Sequence, residues 1–187
     1  MSLRDRLIRN FNEVEFESHT RGGRYEGARY AGLAGPNTPG TAARKLGAGI
    51  DILPPGKVTC PYHFHYAQEE MFVILEGSGT LRVAGESIPI RTGDVIGIPP
   101  GPEYPHQIVN TSEAPIKYLS ISTQERPEVC EYPDSGKYGV FTGTDGPLVQ
   151  RRRVHRADSD LDNLDGEPRA RYPGALSLTG AVEDRYN

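Results

Sequence analysis

The sequence predicts an all-β protein arranged as an antiparallel barrel or sandwich, and three observations carry that reading. Short runs of β-forming residues follow one another between residues 50 and 122. Clusters of turn-forming residues separate them, with no helical periodicity in between. The 22 glycines and 16 prolines are scattered among these runs and form no repeat, which assigns them to turns.

Taken in order, the chain opens on a short helix. Ser2 and Asp5 make an S-x-x-D capping signal, and Leu3, Leu7, Ile8 and Phe11 recur at helical spacing. Residues 19–40, rich in Gly, Arg, Tyr and Pro, read as an irregular arm draped over the barrel or over a neighbouring subunit. Strands are then expected at 50–53, 62–66, 71–75, 80–83, 87–90, 95–98, 107–110 and 116–122. The segments between them (PPG, EGSG, AGE, RTGD, PPGPEYP, NTSEAP) supply turn chemistry. Beyond Thr123 the pattern loosens. Residues 128–140 read as an ordered loop with one short strand. The basic cluster Arg151, Arg152 and Arg153 and the acidic cluster Asp158, Asp160, Asp162, Asp165 and Glu167 read as solvated segments. The organisation expected is an N-terminal helix and arm over 1–45, a barrel over 46–125, and an extension over 126–187 that packs on the barrel or on a partner.

Bulk properties narrow the function classes. With 187 residues, 36% hydrophobic and 25% charged, the chain has the makings of one ordinary globular domain. A formal net charge of -4 gives no electrostatic footprint for nucleic acid. The N-terminus is charged and lacks an apolar core of the kind signal peptides carry, and no run approaches the roughly 20 apolar residues of a membrane span. The expectation is a cytoplasmic protein without membrane contact. Cys60 and Cys130 make no disulfide framework and read as small buried hydrophobes.

One constellation carries chemistry. His63 and His65 stand two apart on an expected strand, so both imidazoles share a face. Glu70 opens the next apolar run and meets them across a hairpin, and His106 opens a later strand. Three imidazoles and a carboxylate form a donor set of borderline hardness. It suits one divalent transition metal (Fe, Mn, Ni, Zn, Co or Cu) and suits Ca(II) or Mg(II) poorly. In an octahedral field two positions stay open for water, substrate or dioxygen, the mark of a catalytic metal.

These residues resemble the two cupin motifs. In the first, G-x(5)-H-x-H-x(3,4)-E-x(6)-G, the fixed positions correspond to Gly56, His63, His65, Glu70 and Gly77, with one extra residue before His63. In the second, G-x(5)-P-x-G-x(2)-H-x(3)-N, they correspond to Gly93, Pro99, Gly101, His106 and Asn110, with two extra residues before His106. The resemblance spans residues 46–123. It implies a double-stranded β-helix (jelly-roll) cupin barrel of two antiparallel sheets, a metal inside near one mouth, and a homodimer. It does not imply a reaction, since the fold hosts many chemistries.

If the ligands face inward, Phe72 and Ile74 share the face of Glu70, and Ile108 and Asn110 share that of His106. These four are the predicted pocket, mainly apolar. Phe64, Tyr62 and Tyr66 are expected outside. Glu70 and Tyr104 are the candidate catalytic residues, Tyr104 because the insertion PEYP places it at the mouth beside Glu103. His19 and His155 look incidental. Cupins acting on oxalate often resemble one another in an Arg just ahead of the H-x-H pair; Cys60 stands there here, which weighs against oxalate. The expected function is a metal-dependent enzyme acting on a small organic molecule, oxygenation ranked first and isomerisation or epimerisation second. A non-catalytic binding module is the alternative.

Overall fold

The computed structural model of the chain describes residues 1–19, 22–142 and 151–156. The acidic cluster between 158 and 167 and the last twenty residues lie outside the described residues. The single helix of the described residues, α1 (Leu3–Leu7), has the capping box its sequence announced: the Asp5 amide donates to Ser2 Oγ and the Ser2 amide to Asp5 Oδ2. It stops after five residues, before Phe11. No helix among the described residues is long and apolar enough to cross a membrane.

Thirteen strands follow: β1 (Glu17–Ser18), β2 (Arg29–Ala34), β3 (Leu46–Leu53), β4 (Phe64–His65), β5 (Glu70–Glu76), β6 (Ser78–Val83), β7 (Glu86–Arg91), β8 (Val95–Ile98), β9 (His106–Val109), β10 (Ile116–Thr123), β11 (Glu128–Tyr132), β12 (Lys137–Thr142) and β13 (Arg151–Arg156). They form three antiparallel sheets ordered β1-β2-β3-β10-β5-β8, β7-β6-β9 and β13-β12-β11-β4. The fold is the all-β jelly-roll barrel the sequence implied. Two segments depart from expectation. Residues 19–40 read as irregular, yet β2 pairs with β3 from Arg29 to Ala34 and extends the sheet beyond it. Residues 128–140 were read as a loop with one short strand, yet they form most of the hairpin β11–β12. Both flanking segments thus add strands to sheets that contain barrel strands.

The core lies between the six-stranded and three-stranded sheets. Leu53, Phe72, Ile74, Ile98, Ile116 and Tyr118 come from the first, and Leu81, Ile90 and Ile108 from the second. Each fully buried aliphatic side chain contributes about 1.5–3 kcal/mol. The β5–β6 turn depends on Gly77: its φ is +83°, and an added Cβ would lie 2.6 Å from the Pro115 carbonyl oxygen. The register of β5 is set by β10 and β8, where Glu70 stands opposite Ser122 and Ile98.

Candidate metal centre

The site begins with backbone pairing. The His63 amide donates to the His106 carbonyl at 3.1 Å and the His106 amide to the His63 carbonyl at 2.7 Å. This reciprocal pair sets the two imidazoles side by side, centroids 4.6 Å apart. His65, two residues on, keeps the same face at 5.0 Å from His63. Glu70 begins β5, and its Oε2 lies 2.8 Å from His106 Nε2, 3.6 Å from His65 Nε2 and 3.8 Å from His63 Nε2. Two ligands about 2.1 Å from one ion lie about 3 Å apart at right angles and about 4.2 Å apart when opposed. The separations of 3.6 and 3.8 Å fall within that range, and the 2.8 Å between Glu70 and His106 is slightly shorter, at hydrogen-bond distance.

The other nitrogen of each ring decides what the convergent nitrogens can do. His63 Nδ1 lies 2.9 Å from the Pro61 carbonyl, His106 Nδ1 3.1 Å from the Tyr104 carbonyl, and His65 Nδ1 3.2 Å from Glu128 Oε1. Carbonyl and carboxylate oxygens only accept, so each Nδ1 carries the proton and donates. In the neutral ring each Nε2 therefore keeps a lone pair aimed at the shared point. Ligand atoms of His63, Glu70 and His106 lie within 4.8 Å of one another, a set that fits a divalent transition ion, and His65 reaches it through Glu70 at 3.6 Å. Burial would push the Glu70 carboxyl up. Without an ion, Glu70 can instead accept a hydrogen bond from a protonated His106 Nε2; that bond and the charge of protonated imidazoles hold its carboxyl down at about 2 against the push of burial. It stays ionised, and an ion would take the place of those protons.

Glu128 was missed by the sequence reading, which placed it in a loop. It is buried and collects four donors: His65 Nδ1 and the Tyr66 amide on Oε1, the Ala67 and Gln68 amides on Oε2. One carboxylate thus shapes the turn between His65 and Glu70 and orients the His65 ring. Cys130, two residues on, is also buried, and its sulfur groups with His63 and His65 within 4.8 Å. Burial pushes its thiol up to about 12, which leaves it protonated and a weaker donor than Glu70.

The predicted site residues separate in the structure. His63, Glu70, His106, Phe72 and Ile108 line a cavity of about 280 Å³. Ile74 is elsewhere, packed in the core one pleat beyond Phe72. Asn110 is buried past the end of β9, where Nδ2 donates to the Leu53 and Ala114 carbonyls and the side chain pins a loop. Tyr104 is exposed and lines no part of the cavity; its carbonyl, not its ring, touches the site. Phe64 and Tyr62, expected to face away from the ligands and pack beneath loops or at a subunit interface, are buried and line no part of the cavity, Tyr62 lying beneath the Arg82 guanidinium at 3.7 Å. His19, set aside in the sequence, lines the cavity from the N-terminal segment, whereas His155 stacks on Tyr138. The cavity wall exposes mainly apolar surface, as expected, with a few polar groups set into it. Asp51 on β3, with Thr59, Tyr118 and Ser120, lies along it.

Comparison with known proteins agrees with this fold. Residues 49–122 match the family model described as the cupin domain. An uncharacterized protein of Methanocaldococcus jannaschii is 41% identical over 71 residues, which are 38% of this chain and 54% of that protein. The chain therefore spans about half the length of the curated relative it matches. Among solved structures, a sugar phosphate isomerase from a cupin superfamily of Silicibacter pomeroyi superposes with a TM-score of 0.65 at 22% identity, covering 83% of this chain and 96% of that one. The polyketide cyclase RemF of Streptomyces resistomycificus superposes with a TM-score of 0.53 at 26% identity, covering 64% and 80%.

Proposed function

From its place in the cupin superfamily, we propose that this protein is a metal-dependent enzyme that transforms a small organic molecule bound beside the ion. The observation that carries the reading is the set of three imidazoles, each anchored through Nδ1, around Glu70, with His63, His106 and Glu70 on the cavity wall and His65 behind Glu70 at 3.6 Å. When bound, a divalent ion at this point supplies Lewis acidity toward a substrate oxygen. The chain's own residues supply the rest. Glu128 and two carbonyls hold the rings, Phe72 and Ile108 exclude water from one side, and the polar groups set into the wall orient substrate hydroxyls.

Within this class the cavity moves proton-transfer chemistry, such as isomerisation, ahead of the oxygenation ranked first from the sequence. Beside the ligand set the wall carries a second carboxyl group, Asp51, which can move a proton and which dioxygen activation does not require. The 26% identity to a polyketide cyclase supports the same ordering. The test is metal content of the purified protein, followed by a panel of small carbonyl compounds assayed with and without oxygen. Turnover that needs the metal but no oxygen is expected. Oxygen uptake with turnover would restore the oxygenase reading, and metal binding with no turnover across the panel would favour a binding module.

A further inference from the structure

Asp51 is the feature that the metal centre leaves unexplained. It lies mid-strand on β3 and is 5% exposed. A buried carboxylate kept for structure collects donors, as Glu128 does with four. Asp51 takes one from among the described residues, the Ser120 hydroxyl at 2.9 Å. No fully buried side-chain oxygen there lacks a partner, so the second Asp51 oxygen opens on the cavity that Asp51 lines.

Register places this pair near the candidate ion. Ser120 pairs with Phe72, and Glu70 is one pleat further along the same face of β5, so Ser120 and Glu70 are diagonal neighbours. The hydroxyl also suits a group that gains and loses a proton. Ser120 Oγ lies 3.3 Å from the Gly49 carbonyl as well as 2.9 Å from Asp51. Facing an ionised Asp51 it donates to the carboxylate; facing a protonated Asp51 it accepts that proton and donates to Gly49. Both states are satisfied without moving the backbone.

We infer that Asp51, positioned by Ser120, is the proton-transferring residue of this site, acting on a small uncharged carbonyl compound with a hydroxyl on the adjacent carbon. This rests on the metal-dependent reading above. The C–H bond beside the substrate carbonyl breaks, and its electron pair enters the C=C bond of an enediol form. The proton makes an O–H bond on Asp51. The substrate's own hydroxyl proton passes to the former carbonyl oxygen, and return of the Asp51 proton to the former carbonyl carbon re-forms a carbonyl one position along, so atoms and electrons balance with no further reactant.

Burial pushes the Asp51 carboxyl up to about 7, with the Ser120 hydrogen bond opposing and the Glu70 charge adding to the rise. A group near neutrality both takes and returns a proton. The other titratable groups on the same cavity are Tyr30 from β2, Tyr118 from β10, Cys60 and His63 ahead of β4, His106 from β9 and His19 from the N-terminal segment. The ligand class follows from the wall. The Thr59–Tyr118 hydroxyl pair at 2.9 Å and Ser120 match uncharged hydroxyls, and no Lys or Arg lies among the described residues that line the cavity.

The experiment uses the full chain loaded with Co(II), whose visible spectrum reports the ligand set, and Zn(II)-loaded protein for NMR. Dihydroxyacetone and its phosphate ester serve as probes in heavy water, read as exchange of carbon-bound hydrogen. Wild type is expected to exchange dihydroxyacetone in preference to the phosphate. Asp51→Asn is expected to lose about 100-fold or more of that exchange, with Co(II) stoichiometry and spectrum unchanged. In infrared difference spectra of the apo-protein, a protonated-carboxyl band is expected that vanishes in Asp51→Asn and shifts in Ser120→Ala. Wild-type exchange by Asp51→Asn overturns the inference while leaving the metal reading intact. So does loss of Co(II) from that variant, which would make Asp51 a structural support. Preference for the phosphate, or no exchange by metal-loaded wild type, overturns it as well. A wild type that takes up no Co(II) sinks the metal reading itself, and the inference with it.

Discussion

Replacing Glu128 with Gln tests how a buried carboxylate shapes the ligand turn. The Glu128 oxygens accept from His65 Nδ1 at 3.2 Å and from the amides of Tyr66, Ala67 and Gln68 at 3.0, 3.1 and 3.0 Å. A glutamine offers one oxygen, so it serves one pair of donors and turns an NH2 group against the other. If the oxygen stays with Ala67 and Gln68, His65 faces a donor and must move its proton to Nε2, which removes a ligand lone pair. If it stays with His65, the turn before Glu70 loses its anchor. Two charge-assisted hydrogen bonds at about 1.5–3 kcal/mol each amount to about 3 kcal/mol at the lower bound. At roughly 2–4 °C per kcal/mol, Glu128→Gln is expected to melt about 6–12 °C below wild type in chelator. Metal affinity is expected to fall about 10–100-fold. Thermal denaturation and competition against a chromophoric chelator measure the two effects. A variant with wild-type melting and affinity would refute the assignment of Glu128 as the anchor of His65 and its turn.

Three further predictions address separate parts of the account. In metal-free protein, Asp51 has a native value near 7 against an ordinary 3.8, so the native state holds the proton where the unfolded chain has released it. Stability therefore falls as pH rises from about 4 through about 7, by up to about 4 kcal/mol, and Asp51→Asn removes that slope; urea melts at pH 5 and pH 8 read it, and an unchanged slope in the variant contradicts it. Gly49→Ala would place a Cβ 2.3 Å from Tyr30 Cε2, so the ring must move at a cost of about 1–3 kcal/mol; a double variant with Tyr30→Ala should be less than additive, and full additivity would show the contact to be harmless. Tyr104→Ala should leave metal affinity unchanged, because the ring is exposed and the carbonyl that accepts from His106 is retained; a tenfold loss in the same chelator competition would put the ring back at the site.

Much of the barrel was legible because its inward positions alternate strictly, as at Glu70, Phe72 and Ile74 on β5. The ligand quartet was legible because histidines two apart on a strand must share a face. The parts that were not legible lie where composition hides a strand. The β2 run RYAGLA is mostly small residues, chosen by close packing rather than β propensity: Gly32 lies against Thr38, and the Tyr30 ring lies over Gly49. Asp51 went unremarked between Ile50 and Ile52, although an acidic residue inside an apolar run is a signal of an inward polar role. For Glu128 the signal was parity. Glu128, Cys130 and Tyr132 alternate with Val129 and Glu131, and all three of the first set are buried. Tyr104 was misplaced because nearness in sequence to His106 says nothing about where a turn side chain points.

Anomalous scattering from crystals of the Co(II)-loaded chain tests the central claim most directly. The account predicts one metal peak within about 2.0–2.3 Å of Nε2 of His63, His65 and His106 and of a Glu70 oxygen, with Cys130 outside bonding distance. A peak held by Cys130 in place of Glu70, or none near the three imidazoles, would contradict it.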